Sequence, residues 1–177
     1  QMNLERNKTD KKDAWHICMY GIERKPAQYQ MPEQQYFECR TLNSAIETIT
    51  AEITAFTNKI YAQKKQKTDT SAVLRSYNQI VKTLKEHLKK LKEELQNKLL
   101  LWQPGLVKQV RSVKGIGSRA TATLIVATQG FKNTHSYQQL ISYAGLSPKL
   151  YTSGKSIRGK VRISKKGGKQ LRHILYM

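Results

Sequence analysis

Ser153 and Gly154 stand at the head of a dense run of cations, Lys155, Arg158, Lys160, Arg162, Lys165 and Lys166. A serine hydroxyl attacks a phosphodiester only when it is oriented, relieved of its proton, and met by fixed donors where negative charge develops. Arg158 and Arg162 are suited to that last task, because a guanidinium fork matches two phosphate oxygens and keeps its charge. Ser-Gly is also ordinary turn chemistry, in which the hydroxyl bonds local backbone, and Tyr143 and Tyr151 are rival hydroxyls in the same stretch. The second candidate set is Asp10 and Asp13. Three-residue spacing at a helix start puts both carboxylates on one face, where they could share a hard cation such as Mg²⁺. The same pair, behind Thr9, is equally a normal N-terminal cap that satisfies free N–H groups and suits the helix dipole. The further carboxylates of a two-metal site have no counterpart upstream.

A third set could hold phosphate without reacting. Lys114-Gly115-Ile116-Gly117 follows Val110 and Val113 and precedes Ala120, Ala122, Leu124, Ile125 and Val126 at helical spacing, which is the layout of a helix-hairpin-helix. The glycines permit a tight turn with positive φ, and the free N–H groups opening the next helix face outward to an anion. Lys114, Ser118 and Arg119 flank that position, and Arg172 adds a cation near the end of the chain. An ordinary interhelical turn is the alternative, and the basic setting favours phosphate.

That setting is extreme. From Leu95 to Met177 there is no Asp or Glu, against fifteen Lys and Arg, so this stretch holds no carboxylate metal site of its own and is drawn to polyanions. The 177-residue chain carries a net charge of +20 with a pI near 10.1, which points to nucleic acid, with an anionic membrane surface as the rival. No apolar run is long enough to span a bilayer and the start does not resemble a signal peptide, so no membrane role is expected. Cys18 and Cys39 are isolated and His16, His87, His135 and His173 are scattered, so neither zinc spacing nor a disulfide framework is present.

The elements that must position these residues follow from periodicity. A first helix runs from about Asp10 to 22, and Gly21 to Pro32, with two prolines, reads as a connector. Leu42, Ile46, Ile49, Ile53, Phe56 and Ile60 form one heptad seam; Leu74, Tyr77, Val81, Leu84, Leu88, Leu91 and Leu95 form another. The short polar break between them predicts an antiparallel helical hairpin whose second helix reaches Trp102. Pro104-Gly105 marks a boundary. The hairpin motif follows, then a helix over Tyr137 to Tyr143 stopped by Gly145, a short irregular β or loop excursion over Lys149 to Ser164, and a last helix from Lys169 to Tyr176. The expectation is a mainly α chain in three parts: 1–32, a first helix and connector; 33–103, the coiled coil; and 104–177, the helix-hairpin-helix domain.

Linked motifs in one order then become specific. Gly115-Ile116-Gly117, Tyr143-Ala144-Gly145-Leu146-Ser147-Pro148, Ser153-Gly154, Arg162-Ile163-Ser164-Lys165-Lys166-Gly167-Gly168 and Leu171-Arg172-His173-Ile174-Leu175-Tyr176 resemble the C-terminal domain of the IS-one-ten family of insertion-sequence transposases. Lys8 to Ala14 resembles the end of that family's RuvC-like DEDD domain. The resemblance implies a site-specific DNA recombinase in which Mg²⁺-binding acidic residues act with a serine nucleophile, guided by a structured RNA from the element. By motif position Asp10 and Asp13 match the last two acidic residues, Ser153 matches the serine, and residues 33 to 102 match a coiled coil that joins subunits into a homo-oligomer. It also implies a cytoplasmic protein of a bacterium or archaeon, at the nucleoid. The first Asp and the Glu of the acidic set are absent, and both ends read as cut. A truncated member is therefore expected to bind DNA or RNA without completing recombination. A non-catalytic helix-hairpin-helix module with a dimerising coiled coil is the alternative.

Overall fold

The computed structural model describes residues 9–66, 70–132, 134–149, 152–153, 157–158 and 160–176, with the backbone alone at 152–153 and 157–158. The chain divides into two units, Gln1–Met31 and Pro32–Met177. In the first, α1 (Asp10–Arg24) starts at Thr9, whose hydroxyl accepts the Lys12 N–H at 3.4 Å. The helix runs through Gly21, past the point expected for a connector. It stops where Lys25 turns left-handed (φ 42°), its N–H on the Gly21 carbonyl, with Pro26 next. Trp15, Ile17, Tyr20 and Ile22 are exposed on α1.

In the second unit α2 (Gln34–Lys64) and α3 (Ser71–Trp102) form the antiparallel hairpin. At 31 and 32 residues each is about 47 Å long at 1.5 Å per residue. Both heptad seams face inward: Ile46, Ile60, Val81 and Leu95 are buried, the other seam residues half-buried, and the Phe56 and Tyr77 rings meet edge to face. Outside the seam, α2 carries threonines at 41, 48, 50, 54 and 57, each donating its hydroxyl to the carbonyl four residues back.

Pro104 occupies the first turn of α4 (Pro104–Ser112), a helix break that is also a corner within one core. Tyr36, Cys39 and Ile46 of α2, Leu95, Leu99 and Trp102 of α3, Val107 of α4 and Ala122, Ile125 and Val126 of α5 (Ser118–Ala127) pack together there. Polar contacts fasten the rim. Glu33, the N-cap residue of α2, accepts the Trp102 indole N–H at 2.8 Å and the Lys132 ammonium at 2.9 Å, and Lys98 pairs with Glu38 at 2.6 Å. Lys132, then Trp102, hold the Glu33 carboxyl below its ordinary range, and Lys98 does the same for Glu38.

A smaller core of Leu124, Ala144 and Leu171 joins α5 to α6 (Tyr137–Tyr143) and α7 (Lys169–Tyr176). Ser136 caps α6 by accepting the Gln139 N–H. Between α6 and α7 the expected irregular excursion is two small antiparallel ribbons: β1 (Pro148–Lys149) with β4 (Arg162–Ile163), and β2 (Thr152–Ser153) with β3 (Ile157–Arg158). Its base is clamped backbone to backbone. Gly168 N–H donates to the Tyr143 carbonyl (3.2 Å), Lys165 N–H to Gly145 (3.0 Å) and Ser164 N–H to Ser147 (2.9 Å). Gly145 is left-handed at φ 70°, and a Cβ there would lie 2.6 Å from the Gly167 nitrogen; one on Gly167 would overlap the Tyr143 carbonyl oxygen.

Because the Gly167 neighbours are main chain and cannot swing aside, Gly167→Ala is expected to cost about 3 kcal/mol and lower the melting temperature by roughly 6–12 °C. Thermal unfolding followed by circular dichroism measures this, and an unchanged melting temperature would show that the close approach is not real. A second expectation concerns acid. Folding lowers the Glu33 and Glu38 carboxyls from 4.5, so their stabilisation is present above that pH and is lost as pH falls through the folded values. The double variant Glu33→Gln, Glu38→Gln is expected to flatten the acid limb of a stability–pH curve.

Candidate nucleic-acid interface

The turn between α4 and α5 takes the expected hairpin form by a different use of its glycines. Gly115 sits at φ 95°, where a side chain would be strained, but Gly117 (φ −83°, ψ 176°) is extended and serves as the N-cap residue of α5. No side chain caps that helix end, so its first N–H groups face outward as an anion-binding end would. Ile116 between the glycines packs against the smaller core and anchors the turn.

The flanking polar groups divide. Lys114 and Arg119 are exposed. The Ser118 hydroxyl accepts the Arg111 guanidinium at 2.9 Å, and its carbonyl accepts the Gln96 amide at 3.3 Å. Arg111 thus joins the site although the sequence reading passed over it; its place on α4, one turn before Lys114, was the available signal. Glu47 of α2 was also missed. It is half-buried, and burial raises its carboxyl while nearby Arg119 opposes the rise. Glu47 lies on the side of α2 away from the heptad seam, and no short-range pattern pairs it with a residue 72 positions later.

In the ribbon segment Ser153 lies on β2 opposite Ile157, and Arg158 on β3 opposite Thr152, so serine and arginine sit on paired strands of one small ribbon. Gly154, Lys155 and Tyr151 lie outside the described residues. Arg162 on β4 faces Lys149, and Arg162, Lys160, Lys165 and Lys166 are exposed. Lys165 takes a left-handed φ of 56° at the clamp. Arg172 departs from the solvent-facing role expected of it: half-buried, its Nη1 donates to the carbonyls of Ala144 (3.2 Å) and Gly167 (3.5 Å). Main-chain oxygens left over by the glycine crossing need a donor, and Arg172 supplies it. Tyr143 directs its hydroxyl to the Ala127 carbonyl at 3.0 Å, which occupies the proton a nucleophile would have to lose.

Asp10 and Asp13 belong to the first unit, both exposed in the first turn of α1. Among the described residues no group of three or more His, Cys, Asp or Glu is placed to hold a metal ion. Cys18 is exposed and Cys39 buried, and burial raises the Cys39 thiol. No helix of the described residues is long and apolar enough to cross a membrane.

Fold and site together define a helical protein with an exposed basic helix-hairpin-helix turn and a clamped ribbon segment flanked by exposed Arg162, Lys165 and Lys166. Residues 107–177 match the model of the transposase IS116/IS110/IS902 family. The whole chain is similar to two proteins named pilin gene-inverting protein: 26% identical over 176 residues to that of Moraxella bovis, and 25% identical over 176 residues to that of Moraxella lacunata. Each alignment covers 97% of this chain and 52% of the relative, so the chain spans about half the length of the curated relatives it matches. The likeness to that transposase family therefore lies in the C-terminal part of the chain, residues 107–177.

Phosphate contacts release counterions, so the binding constant for a DNA duplex is expected to fall steeply and log-linearly with salt. Lys114→Ala should weaken binding to all sequences alike and reduce that slope by about 1. Titrations at several salt concentrations measure both, and a slope unchanged by the substitution removes Lys114 from the interface.

Proposed function

We propose that this chain supplies the nucleic-acid-gripping and serine-bearing part of a DNA transposase or site-specific recombinase, with the Ser153 hydroxyl as nucleophile toward a DNA phosphodiester. The observation that carries the reading is the clamp. The excursion between α6 and α7 that includes Ser153 leaves and rejoins the helical body at a base fixed by three backbone hydrogen bonds and a glycine crossing, within the segment that matches the transposase family. A reactive group on a loop is held in place by the rigid scaffold at the loop's feet. Lys165 and Lys166 stand exposed at those feet and Arg162 on the adjoining strand, so a backbone phosphate drawn to the ribbon meets positive charge there.

In the step proposed, the Ser153 oxygen bonds to phosphorus as the bond to the bridging sugar oxygen breaks. The serine proton passes to a base, and the departing sugar oxygen takes a proton in turn. A seryl-phosphate ester keeps the phosphodiester energy available for rejoining, which suits recombination better than hydrolysis. Asp10 and Asp13 do not by themselves form a Mg²⁺ site, since two exposed carboxylates give too few ligands. They enter the reading only as contributors, beside further carboxylates, to an ion that the complete enzyme would use. A structured guide RNA, a homo-oligomer joined through the α2–α3 hairpin, and action on the nucleoid in the cytoplasm belong to the same reading, which rests there on the family resemblance.

Ser153→Ala in the protein at its relatives' full length is expected to abolish the covalent DNA adduct seen on a denaturing gel while leaving DNA affinity within about twofold, because removal of one hydroxyl oxygen from a two-residue strand seldom disturbs a fold. An adduct that survives the substitution excludes Ser153. Binding with no adduct even in the unsubstituted protein with Mg²⁺ supports the non-catalytic module instead.

A further inference from the structure

Beside the hairpin turn lies a groove that the phosphate-binding turn does not explain. It runs between α2 and the α5–α7 pair, with a volume of about 710 Å³. On one wall Thr50, Thr54 and Asn58 recur every four residues along α2; on the other stand Lys169 and His173 of α7, also four apart, with Arg119 of α5. Four-residue spacing puts each set in a row along one helix face. The groove is therefore a trough whose α2 side carries hydrogen-bonding groups, with Glu47 toward one end, and whose other side carries the cations Lys169 and Arg119. Ala51, Ala55 and Ile174 add apolar surface to its lining.

We propose that this groove seats a single nucleic-acid strand, which leaves the hairpin turn at Arg119 and continues along α2. Arg119 lines the groove and also flanks the turn, so the two surfaces meet at one cation. From Thr50 to Asn58 the rise is about 12 Å, or roughly three stacked nucleotides at about 3.4 Å each. The volume falls within the roughly 300–1,000 Å³ of ordinary ligand clefts, which suits a strand and not a duplex. Lys169 is an exposed point charge suited to phosphate. Thr50 and Thr54 spend their hydroxyl protons on α2 carbonyls at 2.7 and 3.0 Å, which leaves their oxygens as acceptors for sugar or base donors. The His173 imidazole is the one ring among the lining residues, so stacking holds at most one base and little sequence preference is expected. Glu47 is the one carboxylate among the lining residues, half-buried near Arg119, and marks the end of the path open to an anion.

The proposal rests on the nucleic-acid reading of the site, and the test separates the two. The whole chain is titrated with a fluorescent single-stranded DNA of about twelve nucleotides, within the usual span of strand-binding sites. Thr54→Glu with Asn58→Glu places two negative charges on exposed α2 positions in the groove and is expected to weaken binding by about tenfold or more. Thr41→Glu with Thr48→Glu makes the same charge change at exposed α2 positions away from it, and should cost no more than about threefold. Circular dichroism checks that both variants keep their helix, and Lys169→Ala provides a gentler probe of the opposite wall. Equal losses in the two pairs, or loss confined to duplex DNA, overturn the groove. If Lys114→Ala weakens binding and the groove variants do not, the turn stands and the groove falls; if none weakens it, both fall.

Discussion

Two stretches of main chain, Tyr143–Ser147 and Ser164–Gly168, cross so closely that a side chain at 145 or 167 would enter the other's backbone. Everything in the C-terminal part that bears on chemistry hangs from that crossing. It fixes where the ribbons leave the helical body, it turns Arg172 inward to serve freed carbonyls, and it sets α7 against α5 through Leu171. Backbone hydrogen bonds across the crossing offset part of the cost of ordering so irregular a segment.

A second dependence runs the other way, from the long hairpin to the small domain. The seam of α2 and α3 does not end at the domain it carries. Its last layer, Tyr36, Cys39, Leu99 and Trp102, is the first layer of the core that holds α4 and α5. Buried apolar surface of this kind is non-directional, so direction comes from polar pins at the rim: the Trp102 indole and Lys132 ammonium on Glu33, and Lys98 on Glu38. The orientation of the α4–α5 turn is thereby tied to the orientation of two helices about 47 Å long.

The helices were legible because their signals are local and repeated. Seven-residue seams, Thr9 and Ser136 as caps, and Gly145 as a stop each follow from neighbours within one or two turns. Gly117 shows the limit: sequence marks a glycine pair as flexible, but which glycine takes positive φ depends on how Ile116 packs. The roles of Arg172, Arg111 and Glu47 were less accessible. A basic residue in a basic tail looks alike whether it faces an anion or a carbonyl, and only the glycine crossing tells them apart. The two-carboxylate set at Asp10 and Asp13 was read from spacing and sits at a capped helix start, as such pairs ordinarily do.

The five threonines of α2 that bond backward to their own helix give the hairpin a lopsided character. Such residues are weak helix formers and tend to bend the axis, whereas α3, rich in Leu, Lys and Glu, is intrinsically straight and strong. Intrinsic helix propensity in the pair is therefore carried mainly by α3, and α2 depends on that partner more than α3 depends on it.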